Sequence, residues 1–198
     1  GNAAIQGLKQ GATLTDTLTV SSADGASQTI TVNIVGTNDV PTLTAQSHGV
    51  TEDGAKLTGQ MVATDLDTGD TQTFSAQNPP AGLTLNLDGS YTFDPSDAAY
   101  QHLVAGQNET LTIPVTVTDS AGATSTQNLT VTVTGSNDTA VVSGRVADSV
   151  TEDGVVSTAG MLRAGGQLTV LDPDTGEAVF VAQTGVAGAG HYGSFSLD

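Results

Sequence analysis

Apolar and polar residues alternate with a period of two along most of the chain. In residues 29–34, Ile and Val alternate with Thr and Asn, and residues 111–118 and 129–133 repeat the pattern. Because successive side chains of a strand point to opposite faces, these runs predict strands with one apolar face and one Thr-rich, solvated face. Pro114 falls in the outward-facing phase and indicates an edge strand, because proline cannot donate a ladder hydrogen bond.

Turn signals separate these alternating runs. Asp-Gly occurs at 24–25 and 88–89, and Ala-Gly occurs at 121–122. The run 83–93, which is apolar on both sides of its Asp-Gly, predicts a β-hairpin. Residues 97–104, which lie before a glycine, predict one short helical turn. Roughly seven short strands in about 95 residues indicate an all-β fold, a β-sandwich.

The chain also repeats itself. Gly36-Thr37-Asn38-Asp39 recurs as Gly135-Ser136-Asn137-Asp138, and the segment 50–54 recurs at 150–154. Asp67-Thr68-Gly69-Asp70 recurs as Asp174-Thr175-Gly176-Glu177. These recurrences define a repeat of about 99 residues.

The phase of this repeat divides the chain into three segments. Residues 1–36 correspond to the C-terminal part of a repeat, and residues 40–135 correspond to a complete repeat. Residues 140–198 correspond to the N-terminal part of a following repeat. We therefore expect tandem domains of about 99 residues rather than one large domain.

Composition narrows the possible functions. The chain has 21 Asp and Glu residues against 4 Lys and Arg residues, a formal net charge of -17. Four cations cannot build the basic surface that nucleic acids require. The lack of cysteine excludes disulfides and thiolate metal sites, and no apolar run has the roughly 18 residues of a membrane span. A surface this acidic either binds cations or repels itself.

The strongest candidate chemistry is an acidic cluster. Asp65, Asp67 and Asp70 lie within six residues around a glycine, and the first two project to the same side of an extended segment. Calcium takes six to eight oxygen ligands, so such a loop suits Ca²⁺. The alternative to an ion site is an acidic turn that is simply solvated. The recurrence of the cluster weakens that alternative. The third segment carries the equivalent acids Asp172, Asp174 and Glu177.

An ordered set of motifs resembles a cadherin repeat. The set runs from Pro41 and Val50-Thr51-Glu52 through Val62-Ala63-Thr64-Asp65-Leu66-Asp67-Thr68-Gly69 to the segment 115–119 and Asn137-Asp138. The bacterial VCBS repeats of large secreted RTX-type adhesins are more similar still: residues 14–25 resemble the back half of that repeat, and residues 166–177 and 180–185 resemble its front half. The resemblance implies Ig/cadherin-like sandwiches arranged head to tail, with Ca²⁺ at each junction.

The resemblance also implies ligands, position by position. At the first junction they would be Asn38, Asp39, Asp65 and Asp67, with Asp119 nearby. At the second they would be Asn137, Asp138, Asp172 and Asp174, with Glu52 from the preceding repeat. The cadherin motif Leu-Asp-Arg-Glu is missing here, and residues 94–97 stand in its place. Glu52 could instead be an ordinary turn acid, and the two asparagines could be turn residues chosen for their backbone conformation.

Three functions follow as hypotheses. The first is a non-catalytic extender segment of a bacterial cell-surface adhesin, rigidified by Ca²⁺ and supporting adhesion or biofilm formation, with neighbouring repeats as its partners. The second is a subunit whose partial repeats complete each other head to tail in an extracellular fibre. The third is a carbohydrate-binding accessory module, which the aromatic content of 4% and the lack of tryptophan disfavour. The same shortage disfavours a glycosidase carboxylate pair, and the sequence has no nucleophile elbow, P-loop or HExxH motif.

Overall fold

The computed structural model describes residues 2–145, 147–152 and 162–197, and almost all of its regular structure is β-strand. Residues 153 and 154 of the second Glu-Asp-Gly recurrence lie outside the described residues, as do 146 and 198 of the expected third segment. In chain order the elements are α1 (Ala3–Gln6), β1 (Thr13–Ser21), β2 (Ser27–Val35), β3 (Thr42–Leu43), β4 (Gln46–Thr51), β5 (Leu57–Gln60), β6 (Ala63–Thr64), β7 (Thr73–Ala76), β8 (Leu83–Leu85), β9 (Ser90–Phe93), β10 (Asn108–Thr118), β11 (Thr124–Thr134), β12 (Val141–Gly144), β13 (Leu168–Leu171), β14 (Gln183–Ala187) and β15 (Ser194–Leu197).

The chain folds into two compact units. The first comprises the described residues up to Asp97 together with Glu109–Val133. The second comprises Ala98–Asn108 and the described residues from Thr134 onward.

The main body of the first unit is a β-sandwich, as the alternating pattern predicts. One sheet has the strand order β4-β11-β10-β7, and the other has the order β5-β9-β8. The short strands β3 and β6 pair separately, with Thr42 opposite Thr64. The all-β prediction is therefore confirmed.

The sandwich core follows the period of two. Six inward residues of β10 and β11 are at most 3% exposed, and threonines occupy most of the positions between them. Burying each such aliphatic side chain contributes about 1.5–3 kcal/mol. Tyr91 and Phe93 of β9 are 1% and 0% exposed and close the core from the other sheet. The buried residues of the long strands are Ile113, Val115, Val117, Leu129, Val131 and Val133.

Two local predictions have different outcomes. β8 and β9 form the predicted antiparallel hairpin, and its Gly89 has φ +85°, in the left-handed region that favours glycine. The short helical turn predicted near 97–104 does not become a helix: residues 98–102 lie in hydrogen-bonded turns, residue 97 is a bend, and residues 103 and 104 have no regular structure.

Pro114 predicts that β10 is an edge strand, and this prediction is wrong for the second half of β10. Val115–Thr118 of β10 pairs with β7, so that half lies inside the sheet. Pro114 lies directly before this paired segment, where its missing N–H costs no hydrogen bond to β7.

The remaining part of the first unit is the β1–β2 hairpin. Its strands pair from Thr13 opposite Val35 to Ser21 opposite Ser27, and Gly25 in the turn has φ +90°. Every residue of β1 is exposed, including Leu18 at 60%.

The second unit contains two strand pairs. β12 pairs with β13 from Val141 opposite Leu171, and β14 pairs with β15 through a register shift between Gln183 and Val186. Backbone bonds join residues 98–108 to the rest of the unit: Gly106 N donates to Gly135 O at 2.9 Å, and Gly135 N donates to Gln107 O at 2.7 Å.

Candidate metal centres

Three loops of the first unit bring acidic side chains together. Asp65, Asp67 and Asp70 lie between β6 and β7, in the stretch that the sequence marks as an acidic cluster. Asn38 and Asp39 follow β2, and Asp119 follows β10. We call this set the first acidic group.

Asp65 and Asp67 are held by backbone donors. Asp65 Oδ1 accepts a hydrogen bond from Asp67 N at 2.9 Å, the local turn that an Asp two residues upstream commonly makes. Asp67 Oδ2 accepts a hydrogen bond from Asp39 N at 3.0 Å. Asp67 is 3% exposed, so this bond connects the segment after β2 to a buried carboxylate.

Asp119 is the most extensively hydrogen-bonded acid of the group. Its Oδ1 accepts from Ala121 N at 2.9 Å and Ala123 N at 2.7 Å, and its Oδ2 accepts from Asn38 Nδ2 at 2.8 Å. The Asn38 amide, with the backbone N–H groups of the turn, holds the pKa of Asp119 below its ordinary value. These hydrogen bonds favour the charged form of Asp119 although the residue is only 6% exposed.

Asp70 is held from several sides. Its Oδ1 accepts hydrogen bonds from the Ser120 hydroxyl and from Thr71 N at 2.9 Å. Lys9 Nζ lies 3.8 Å from the same oxygen, and the Asp70 side chain is 2% exposed. The Ser120 hydroxyl, then the Thr71 N–H and the Lys9 ammonium, lower the pKa of Asp70 against the effect of burial.

The arrangement leaves buried oxygens that lack donors. One oxygen from each of Asp65, Asp70 and Asp119 lies within 4.8 Å of the other two. Among the described residues, no hydrogen-bond partner reaches Asp65 Oδ2, Asp67 Oδ1 or Asp70 Oδ2, all of which are buried. Buried carboxylate oxygens without partners cost free energy, and a divalent cation would satisfy them. The residues therefore fit Ca²⁺, a hard cation that binds oxygen.

A cavity of about 230 Å³ adjoins these oxygens. The cavity is lined by Lys9, Asn38, Asp67, Asp70 and Ser120. An ion would thus have space beside the carboxylates without displacing the core.

The second unit contains an equivalent second acidic group. Oxygens of Asp172, Asp174 and Glu177 lie within 4.8 Å of one another. Asp174 N donates to Asp172 Oδ1 at 3.0 Å, and Asp138 N donates to Asp174 Oδ2 at 2.9 Å. Asp174 is 1% exposed, and its Oδ1 has no hydrogen-bond partner in the described part of the chain.

The backbone around the two groups also matches. Thr68 N donates to Gly7 O at 3.1 Å in the first unit, and Thr175 N donates to His102 O at 3.1 Å in the second. Asn38 Nδ2 donates to Asp39 O at 2.9 Å, and Asn137 Nδ2 donates to Asp138 O at 2.6 Å. The two asparagines thus hold the aspartates that follow them in the same way.

A protein family matches the first of these regions. Residues 38–135 match the family model of the bacterial cadherin-like domain. These residues, which we call the cadherin-like domain after this match, contain both sheets of the sandwich and the whole first acidic group, whereas the second group lies outside them. No curated protein shows significant sequence similarity to the chain.

Solved structures of cadherin domains are also similar. PcdhgB3 EC1-4 aligns at 13% identity and a TM-score of 0.46, covering 85% of this chain and 52% of that one. Protocadherin gamma B7 extracellular cadherin domains 1-4 align at 19% identity and a TM-score of 0.46, covering 88% and 44%. Mouse cadherin-23 EC22-24 aligns at 21% identity and a TM-score of 0.40, covering 61% and 42%. The chain thus spans about half of the first structure and less of the others.

Glu52 differs from the other candidate ligands. It lies directly after β4 in the cadherin-like domain and is 2% exposed, so it is not an ordinary solvated turn acid. Of the residues that the structure describes, Glu52 is in neither acidic group. Its assignment to the second junction stays a prediction.

Asp70 of the first group, and the Lys9 and Ser120 side chains that contact it, were missing from the ligand set that the resemblance implies. Asp70 belongs to the acidic cluster of the sequence, and its recurrence as Glu177 was the available signal. Lys9 and Ser120 carry no such signal, because they lie far from the cluster in sequence and only the fold brings them to Asp70.

The aromatic residues of the cadherin-like domain lie mainly in its interior. Phe74, Tyr91, Phe93 and Tyr100 are at most 6% exposed. Sugar sites on β-sandwiches need exposed stacking platforms, and these side chains do not provide one. Among the described residues, no helix has the length and apolarity needed to cross a lipid bilayer.

Proposed function

We propose that this chain is a non-catalytic, extracellular structural segment of a bacterial adhesin, in which Ca²⁺ rigidifies the two acidic groups. The observation that carries the proposal is the pair of groups with buried, donor-free carboxylate oxygens. The match to the bacterial cadherin-like domain supports it, because calcium-dependent extracellular adhesion is typical of cadherin domains.

Electrostatics gives the proposal its physical basis. Carboxylate oxygens within 4.8 Å of one another repel at a distance well inside the Debye length of about 8 Å at physiological salt. The net charge of -17 makes the environment of each group more negative. A bound divalent cation converts this repulsion into attraction.

The ligand sets follow from the contacts. Asp65, Asp67, Asp70 and Asp119 would hold the ion in the first group. Asp172, Asp174 and Glu177 would hold it in the second. Calcium supplies charge neutralisation and oxygen coordination, and extracellular modules bind it with dissociation constants of about 10⁻⁴–10⁻³ M.

Rigidity would arise in the segments that lead into each group. Asp39 is bound through its backbone to Asp67, and Asp138 is bound in the same way to Asp174. An ion on the buried aspartates would strengthen these anchors and restrict the chain segments that carry the two asparagines. Such a segment would hold a distal adhesive domain away from the cell and support biofilm formation.

Calorimetric titration of CaCl₂ into the chelator-treated chain tests the proposal. We expect saturable binding to the wild type and loss of one class of sites in the Asp65→Asn, Asp67→Asn double variant. Asp24→Asn is the matched control, because Asp24 is an exposed acid of the β1–β2 turn. Absence of binding to the wild type at millimolar calcium, or equal binding by all three proteins, contradicts the proposal.

Self-association is a second candidate function, and the exposed face of β1–β2 favours it. Ile30 and Val32 are 47% and 54% exposed, whereas Leu129 and Val131 in β11 are fully buried. Phe195 in β15 is 68% exposed, although Tyr91, which also directly follows a Gly-Ser pair, is 1% exposed. The β1–β2 hairpin of one copy would therefore cover the β14–β15 strands of a second copy, as β10–β11 covers β9 within the cadherin-like domain.

Light scattering over a range of protein concentrations tests this candidate. We expect the wild type to associate and the Ile30→Thr, Val32→Thr double variant to associate less. Thr31→Ser, on the opposite face of β2, is the control and should behave as the wild type. A wild type that is monomeric at every concentration excludes the candidate.

A further inference from the structure

A cationic side chain, Lys9, lies beside the first acidic group, at a position where the second unit has an apolar residue. Lys9 Nζ donates to Gly69 O at 2.5 Å and lies 3.8 Å from Asp70 Oδ1. Lys9 also lines the cavity beside Asp67 and Asp70. The ammonium thus lies at the edge of the space that an ion would use.

The backbone identifies the residue that replaces Lys9 in the second unit. Gly36 N donates to Ala12 O at 2.7 Å, and Gly135 N donates to Gln107 O at 2.7 Å. A Cβ on Gly36 would collide with the carbonyl oxygens of residues 8 and 9, and one on Gly135 would collide with those of residues 103 and 104. Val104 is therefore the counterpart of Lys9, and Glu177 is the counterpart of Asp70.

From this difference we propose that Lys9 is an intramolecular counter-ion of the first acidic group, which competes with Ca²⁺ for Asp70 and weakens calcium binding there. The proposal rests on the proposed function, because it presumes that the acidic groups bind calcium. Lys9 would hold Asp70 when calcium is scarce, and calcium would displace the ammonium when it is abundant.

The exposure of the two partners suits such a displaceable contact. The Lys9 side chain is 43% exposed and can turn into solvent, whereas the Asp70 side chain is 2% exposed and stays in place. The Ser120 hydroxyl and Thr71 N–H bind the same Asp70 oxygen, and Asp70 Oδ2 has no partner among the described residues. An incoming cation would therefore find Asp70 already oriented, with one oxygen available.

The second group would bind calcium at lower concentrations than the first, because Val104 stands where the first unit has Lys9. Val104 brings no charge, so the repulsion among Asp172, Asp174 and Glu177 has no counterpart of the Lys9 ammonium at that position. The chain would thus contain one calcium-binding group whose charge Lys9 partly neutralises and one with an apolar residue at the equivalent position.

Substitution of Lys9 tests the proposal directly. In calorimetric titration with CaCl₂, Lys9→Gln should raise the affinity of the weaker site by about threefold to tenfold, the range expected for removing one partly exposed charge. Lys9→Arg keeps the charge and should bind calcium as the wild type does. Lys56→Gln is the matched control, because Lys56 carries the same charge in the same unit and pairs with Asp94 at 2.7 Å.

A reciprocal variant and a second readout keep the test specific. Val104→Lys should weaken calcium binding by the second group. In chelator, Lys9→Gln should lower the thermal midpoint relative to Lys56→Gln, and saturating calcium should remove that difference. These changes together would not follow from a loss of packing alone.

The outcomes separate the two proposals. A wild type that does not bind calcium overturns both. A wild type that binds calcium, with Lys9→Gln indistinguishable from Lys56→Gln in affinity and in chelator stability, overturns the counter-ion role and leaves the proposed function standing.

Discussion

The β1–β2 and β10–β11 hairpins have the same residue pattern and opposite environments. Both alternate aliphatic residues with threonine and end at a glycine, Gly36 or Gly135. In β10–β11 six inward residues are at most 3% exposed, whereas every residue of β1 and most of β2 are exposed. Alternation therefore specifies a strand with an apolar face, and a core forms only where another sheet covers that face.

The two hairpins differ in length but share a pair of hydrogen-bonded threonines on the solvated face. β10 and β11 have 11 residues each, and β1 and β2 have 9 each. Thr116 and Thr126 share a hydroxyl hydrogen bond at 2.8 Å, and Thr19 and Thr29 share one at 3.2 Å. The solvated faces are thus alike, which isolates burial of the other face as the main difference.

Removing one aliphatic side chain from each hairpin gives the largest expected contrast. Counted from the terminal glycines, Leu129 of β11 corresponds to Ile30 of β2. Leu129→Ala should lower the free energy of unfolding by about 2–5 kcal/mol, because it leaves a cavity in a packed core. Ile30→Ala should change it by less than about 0.5 kcal/mol, because Ile30 is 47% exposed.

Urea denaturation at low protein concentration, where copies do not associate, measures both values. Equal losses for the two variants would mean that the β1–β2 face is covered in solution.

The terminal glycines give a smaller effect that the two hairpins should share. Gly36→Ala and Gly135→Ala each place a Cβ against backbone oxygens that cannot move aside. We expect each to cost about 1–3 kcal/mol, the usual range for overpacking. Gly49→Ala is the control, because a Cβ there has nothing within 4 Å.

Thermal unfolding of the three variants checks this prediction. A stable Gly36→Ala beside a destabilised Gly135→Ala would show that the hairpin ends are not equivalent.

The smallest expected effect concerns the turn that follows β10. The pKa of Asp119 is lowered, chiefly by the Asn38 amide, so its stabilising contribution is present above the unfolded value of about 3.9. That contribution is lost as the pH falls through the lower folded pKa. In chelator, the destabilisation caused by Asn38→Ala should therefore be larger at pH 7 than at pH 2.

Denaturant unfolding at the two pH values measures the difference. Asn33→Ala is the control, because Asn33 is an exposed amide in β2 that accepts a hydrogen bond from the uncharged Thr15. A destabilisation by Asn38→Ala that is independent of pH would mean that Asn38 acts through packing and not through the Asp119 charge.

Much of the fold could be predicted from local pattern. The 83–93 hairpin, the Asp-Gly turns and the inward faces of β10 and β11 are all confirmed. The error for Pro114 arises because an edge position depends on which strands lie beside it. Neighbouring strands come from distant parts of the chain, and a local pattern does not contain them.

The candidate site likewise combines contacts that the local sequence predicts with contacts that depend on the fold. Asp65 and Asp67 bind through a local turn that their spacing of two residues already favours. The approach of Asp119 to Asn38, 81 residues apart, depends on the closed sandwich. The contact of Lys9 with Asp70 joins residues 61 positions apart and was not foreseen from composition or repeats.

The sequence by itself determined the strand periodicity, the turns, the repeat of about 99 residues and the excess of acidic charge, because each depends on neighbouring residues or on composition. The tertiary structure decided which apolar faces are buried and which carboxylate oxygens are left without donors. It also decided that Lys9 lies beside Asp70 of the first acidic group. These features depend on contacts between distant segments, which form only when the sheets pack.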